Sequence, residues 1–361
     1  MVVESPQLPQ PSSGASGLRP RGLLYHYTTV DGFLGILDND CLRATHIRYL
    51  SDSREFVEAL EHAEGLVDAF VGEFERLNAG LARTLADAGD RFGGEFDRLC
   101  ASLRDGLGEF IGSISSPLSG RSGAYVVSFT DDAAQEPDTG EMHGDRLSQW
   151  RAYGGGGRGI SLGFDFDALH GGRPGESWCV GGCIAYLLNC LYERGKKRAA
   201  LEGVAEVVVP ELRKFLETTG SAAGKGEEQE SSLAAFRGQT VLGWVINAST
   251  FKDPAFSEEK EWRVVILGQR KGDAANGEKK PDMCVKFRSG PLGITPFLQL
   301  PLHLSSGTSA LHRVVIGPTP HMQESVKAVE MILEDRGVRL RNEKHLDGVE
   351  VVPSRIPYRN W

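Results

Sequence analysis

Apolar positions along the chain fall into short runs, each bounded by glycine, proline or a polar cluster. Leu23–Thr28 reads as a strand. Thr29–Leu37 follows with helical spacing, Val30, Phe33, Leu34 and Leu37 sharing one face beneath a Thr29 or Asp31 cap. Cys41–Ile47 returns as a strand. Ser51–Ser113 is charged and helical in period, and the Gly/Ser-rich Ser115–Gly123 separates it from a strand at Ala124–Phe129. Asp131–Gly144 is polar and loop-like, Arg146–Tyr153 is a helical turn stopped by Gly154–Gly157, and Gly159–Phe166 alternates as a strand. Cys179–Leu187 is a further strand, and Leu201–Leu216 and Leu233–Asn247 read as helices joined by the solvated linker Gly220–Ser232. Trp262–Leu267 and Val314–Ile316 are strands, Met322–Asp335 is an amphipathic helix, and Val351–Trp361 is strand running into coil. Short strands among helices of uneven length predict an α+β fold instead of a regular βαβ alternation. The expected layout is a Pro/Ser/Gly-rich disordered tail over 1–20, then one domain over 21–361 with helical insertions at about 51–115 and 191–247.

Composition narrows the class. The chain has 361 residues, 40% of them apolar, enough for a sizeable core. Its 40 Lys+Arg against 49 Asp+Glu leave a net charge of −9, which argues against a general binder of nucleic acid or of anionic membranes. No apolar run approaches a membrane span, and the first residues lack an apolar signal core, so a cytoplasmic chain without membrane partners is expected. Six cysteines are too few for a disulfide scaffold. Cys179, Cys183 and Cys190 form C-x3-C-x6-C, but the nearest histidine, His170, lies across a Gly-Pro loop. They are read as packing residues and no metal site is expected. Gly154–Gly157 precedes a strand, whereas a phosphate loop follows one. With no GxxxxGK[ST], HExxH or GxSxG either, P-loop, zinc-protease and serine-hydrolase chemistry lose their supports.

Three segments crowd aromatic and charged residues against apolar strands. Leu24-Tyr25-His26-Tyr27-Thr28 puts a histidine at a strand end, suited either to a cleft or to a structural role. In Leu147-Ser148-Gln149-Trp150-Arg151-Ala152-Tyr153-Gly154, Trp150 and Tyr153 share a helical face. They either stack on a planar ligand or anchor a turn in the core. Phe256-Ser257-Glu258-Glu259-Lys260-Glu261-Trp262-Arg263 leads into a strong strand. Its Glu259 and Glu261 form E-x-E, a carboxylate pair at the mouth of the strand, or else a charged run with Glu261 paired to Arg263.

These motifs, YHYT, W-x-x-Y before a G-x-x-L-G-F strand, and EKEWR, resemble the bacterial family known as domain of unknown function 2971. The closing Ser354-Arg355-Ile356-Pro357-Tyr358-Arg359 is similar to that family's ending, and the likeness runs from about Leu23 to Arg359. A fainter resemblance is to ADP-ribosyltransferases, which place a histidine at the end of the first strand and a catalytic glutamate, often in E-x-E, at the start of a later one. Here Tyr27 and Thr28 replace the glycine usual after that histidine. The resemblance implies a small split, mixed or antiparallel sheet core with helical insertions, NAD as substrate with no resident cofactor, and transfer to a protein or nucleic-acid acceptor. It extends to a toxin or defence role. It casts His26 as an NAD-ribose contact, Glu261 as the carboxylate that offsets the ribosyl cation, and Glu259 as the group that orients the acceptor. Tyr49, Trp150 or Tyr153 would stack on nicotinamide, Arg151 or Arg263 would hold a phosphate, and Tyr27 and Thr28 would line the site. On this reading His26 and Glu261 share one pocket, with Trp150 or Tyr153 on its wall. The competing readings are a non-catalytic ligand-sensing or interaction module on the same scaffold and, more remotely, a nuclease or other hydrolase that uses His26 and a glutamate without NAD.

Overall fold

A computed structural model describes residues 20, 22–50, 56, 101, 104–105, 123–131, 143–170, 177–204, 242–268, 285–290, 293–305, 309–343 and 345–357. The tail, nearly all of the charged segment Ser51–Ser113, the linker Gly220–Ser232 and most of the two helices flanking it lie outside the described residues, as do Tyr358 and Arg359 of the ending.

The chain groups into two compact units. One comprises Met1–Gly17, Leu50–Ala124 and Leu191–Pro254, and the other Leu18–Tyr49, Tyr125–Cys190 and Ala255–Trp361. Within the first, residues 194–204 and 242–248 are helical, and Trp244 Nε1 donates to the Leu201 carbonyl at 3.2 Å.

The second unit carries the sheet. Its elements are β1 (Leu24–Thr28), α1 (Val30–Asn39), β2 (Cys41–His46), a 3-10 turn (Ile47–Tyr49), β3 (Gly123–Asp131), α2 (Leu147–Tyr153), β4 (Ile160–Phe164), α3 (Phe166–His170), β5 (Ser177–Val180) and β6 (Cys183–Asn189). After these come a 3-10 turn (Pro254–Glu259), β7 (Glu261–Gly268), β8 (Lys286–Gly290), β9 (Gly293–Pro301), β10 (Leu311–Ile316), α4 (Met322–Asp335) and β11 (Glu350–Pro353). The α+β class holds. The sheet, however, is larger than the small one expected: among the described residues it has 11 strands, in the order β11-β10-β4-β1-β3-β2-β9-β8, with β7 pairing β3 and β6, and β5 pairing β6. Pairing is antiparallel along β4-β1-β3-β2-β9-β8 and parallel between β10 and β11.

Two expectations shift for local reasons. Cys179–Leu187 is a hairpin and not one strand, because Gly181 (φ 53) and Gly182 (φ 79) turn the chain through backbone angles that disfavour other residues. On α1, capped by Thr29, whose Oγ1 accepts from Gly32 N at 3.0 Å, the inward face is Phe33, Ile36 and Leu37. Val30 and Leu34 lie exposed, since the buried face follows the sheet and not the full run of apolar residues. The hairpin β8–β9 adds two strands to those expected, β9 burying Phe297, Leu298 and Leu300 while β8 is mostly exposed.

Period-two alternation assigns the faces. Leu24, Tyr125, Val127, Phe129, Ile160, Leu162, Phe164, Trp262, Val264 and Ile266 all enter one core cluster, to which α1 adds Phe33, Ile36 and Leu37. The opposite face of the central strands carries a smaller cluster, Tyr25, Tyr27, Trp150 and Val315.

Candidate functional site

The E-x-E segment and the W-x-x-Y helix come together. The 3-10 turn ends at Glu259, and Lys260, in a left-handed conformation (φ 46), swings the chain into β7. Asp131 N donates to the Lys260 carbonyl at 3.1 Å, fastening that corner to the end of β3. Glu259 is only 9% exposed, and the Tyr153 hydroxyl stands 3.2 Å from its Oε1 and 3.4 Å from its Oε2. Tyr153 itself is 41% exposed, so this carboxylate–phenol pair sits at the surface end of a buried acid. Beside it, Arg146 Nη1 donates to the Glu258 carbonyl at 2.6 Å. Arg146 N in turn donates to the Tyr27 hydroxyl at 3.1 Å, which ties the start of α2 to β1.

Glu261 lies deeper. Its carboxylate is paired with Arg263, Nε to Oε1 at 2.8 Å, with side chains 4% and 3% exposed respectively. Trp262, Val264 and Ile266 face the main core, so alternation sends Glu261 and Arg263 to the other face of β7.

His26 goes the opposite way. It pairs across from Leu162, and its ring centroid is 5.9 Å from that of Phe129, both members of the main core cluster. Its Nδ1–H donates to the Ser128 carbonyl at 2.9 Å. Burial pushes its pKa below the ordinary value of 6.5, against a smaller opposing effect of the Ser128 hydrogen bond. His26 and Glu261 therefore do not share a pocket as the sequence reading expected: one period-two pattern places them on opposite faces of the sheet. The depressed pKa has a signed consequence. The unfolded chain binds a proton on this histidine at a higher pH than the folded one, so the contribution is complete above about pH 6.5 and is lost as the pH falls below it. Denaturation midpoints should drop between pH 7 and pH 5, and His26→Gln should flatten that slope. An unchanged slope would refute the assignment.

The remaining expected contacts separate into packing and surface. Trp150 is fully buried and meets the Tyr27 ring edge-on at 4.8 Å, and its Nε1 donates to Asp145 Oδ1 at 2.8 Å. With no exposed face it anchors α2 and offers no stacking platform. Tyr27, at 7% exposure, is likewise core, and Thr28 is half-buried. Tyr49 is exposed and packs edge-on against His46 at 5.7 Å, and Arg151 is exposed on α2. An open hollow of about 710 Å³, lined by residues including Leu169, Trp178, His303 and His312, contains none of the expected site residues. Of the three clustered cysteines, Cys183 and Cys190 are buried and Cys179 is exposed. Among the described residues no three His, Cys, Asp or Glu side chains gather as a metal site, and no helix is long and apolar enough to cross a membrane.

Asp145 escaped the sequence reading. Buried in a loop, it accepts from Trp150 Nε1, from Ser354 Oγ at 2.5 Å and from Arg355 N at 2.6 Å, so it binds the W-x-x-Y segment to the chain's ending. No local pattern announces partners 209 and 210 positions away.

Residues 149–264 match the model of a protein family of unknown function, DUF2971. The family likeness seen in the motifs thus holds over that stretch, which opens one residue before Trp150 and closes one after Arg263. It encloses Tyr153, Glu259 and Glu261, the residues that define the corner described above. No curated protein and no solved structure matches the chain.

Proposed function

We propose that this chain is an NAD-using, ADP-ribosyltransferase-like enzyme whose working carboxylate is Glu259, with Tyr153 as its partner. The observation that carries the reading is the Tyr153–Glu259 pair: a nearly buried carboxylate held by a half-exposed phenol, at the strand mouth where the E-x-E resemblance puts the chemistry. Cleavage of the nicotinamide–ribose bond builds positive charge on the ribose and releases a neutral leaving group, so a carboxylate suffices and no strong general acid is needed. The half-exposed Tyr153 ring is, on this reading, the aromatic that stacks on nicotinamide. The acceptor is a protein or a nucleic acid. Glu261, neutralised by Arg263, stiffens the corner from behind, and His26 stabilises β1.

A second reading is favoured by that same ion pair and by the opposed placement of His26: a non-catalytic ligand-binding module on this scaffold, in which Glu259 and Tyr153 recognise a ligand without turning it over. Release of nicotinamide from NAD by the purified protein separates the two. Under the enzymatic reading Glu259→Gln should lower that rate by about a hundred- to thousand-fold, because one preorganised electrostatic contact to the transition state is lost. Tyr153→Phe should cost less. Wild-type protein that never consumes NAD, with or without acceptors, would leave the binding-module reading in place.

A further inference from the structure

The face of β2-β9-β8 opposite the main core gathers three basic residues, with no carboxylate paired to them among the described residues. In register, Arg43 pairs with Gln299 and Thr45 with Phe297 across β2 and β9, while Lys286 pairs with Phe297 and Arg288 with Thr295 across β8 and β9. Paired residues share a face, so Arg43, Thr45, Lys286, Arg288 and Thr295 all stand on the side opposite Leu42, Leu298 and Leu300, which enter the core. No carboxylate among the described residues forms an ion pair with Arg43, Lys286 or Arg288.

The arginines are held in place. The Arg43 guanidinium lies 5.7 Å from the Phe297 ring centroid, and its tip reaches Gly35 of α1, where a Cβ would stand 2.7 Å from Nη2. Arg288 Nη2 donates to Thr45 Oγ1 at 3.2 Å. Two polar atoms nevertheless have no hydrogen-bond partner: Arg288 Nε and, directly across the ladder, Oγ1 of Thr295, a residue only 2% exposed. Gly290 approaches both residues closely: a Cβ there would stand 2.5 Å from Thr295 Oγ1, a clash, and 3.9 Å from Arg288 Nη1, so a side chain at 290 would crowd the hydroxyl. Burial, and after it the neighbouring Arg43 charge, hold the Arg288 pKa below its usual value, as expected where one guanidinium is pressed towards another without a counter-charge. Unpaired buried donors and uncompensated charge are costly in a folded protein, and a bound oxyanion removes both costs at once.

We infer that Arg43, Arg288 and Thr295, with Lys286 at the rim, form a binding site for a phosphate group, either free or carried by a nucleotide. Two guanidinium forks and a hydroxyl supply donors suited to a tetrahedral oxyanion, and among the described residues no carboxylate is paired with them. The inference rests on none of the residues assigned to NAD chemistry.

Titration calorimetry of the full chain with inorganic phosphate, pyrophosphate and ADP tests it. At least one probe should bind one-to-one, equal affinities pointing to free phosphate and tighter ADP binding to a nucleotide. Arg288→Met should weaken that binding at least about tenfold, the loss of one charge-assisted hydrogen bond. Its unfolding midpoint without ligand should be no lower than that of the parent, because the change removes an uncompensated charge. Gly35→Ala keeps every charge and displaces only the flexible tip of Arg43, so it should weaken binding in a stably folded protein even if Arg288→Met fails to fold. Absence of binding by all three probes, or binding that both variants leave unaltered, would overturn the site.

Discussion

Trp150→Ala should destabilise the second unit by about 3–5 kcal/mol, the range for emptying a fully buried aromatic position. The loss has two parts. The cavity opens beside Tyr27, whose ring meets the indole at 4.8 Å, and Asp145 loses one of its three hydrogen-bond donors while keeping Ser354 Oγ and Arg355 N. Trp150→Phe separates them: it retains most of the volume and gives up the Nε1–H, so it should cost about 1–3 kcal/mol. Since whole domains are stable by only about 5–15 kcal/mol, the alanine variant should unfold at far lower denaturant, with a midpoint that exposes the defect directly. A midpoint within error of the parent would mean that the ring is not the anchor described, and would return Trp150 to the ligand-facing role that its motif first suggested.

The second large effect concerns Arg263. Replacing it with methionine removes the ion-pair partner of a carboxylate that is 4% exposed, and should cost about 3–5 kcal/mol, most of it the penalty of a buried charge stripped of its counter-ion. The double variant Arg263→Met, Glu261→Leu should recover much of the loss, because it removes both charges together. Denaturant unfolding of the parent, the single and the double variants measures the coupling. If the double variant is as unstable as the sum of both single variants, the pair is not acting as a unit. The same set bears on function: nicotinamide release in the double variant, once its stability is known, separates Glu261 as a structural partner from Glu261 as the reacting carboxylate.

The sequence by itself determined the elements whose signals are local. The Thr29 cap, the helix Met322–Asp335 and the stop at Gly154–Gly157 each rest on neighbours within a few residues and stand where the pattern put them, and the strand expected over Trp262–Leu267 runs one residue further at each end, Glu261–Gly268. The W-x-x-Y and E-x-E segments were legible as unusual, and Tyr153 and Glu259 do meet. Tertiary structure alone decided which way each side chain faces, because one strand register settles that for every residue on it. Alternation against the core cluster sends His26 to one side of the sheet and Glu261 to the other; Glu261 opens its strand as the motif implied, whereas His26 stands mid-strand in Leu24–Thr28 and not at its end. Long sequence separation hid Asp145, two of whose three partners are more than two hundred positions away, and strand register hid the Arg43–Arg288 face. The three basic residues there are unremarkable in sequence, and only the pairing of β2, β9 and β8 sets them side by side over a hydroxyl without a partner.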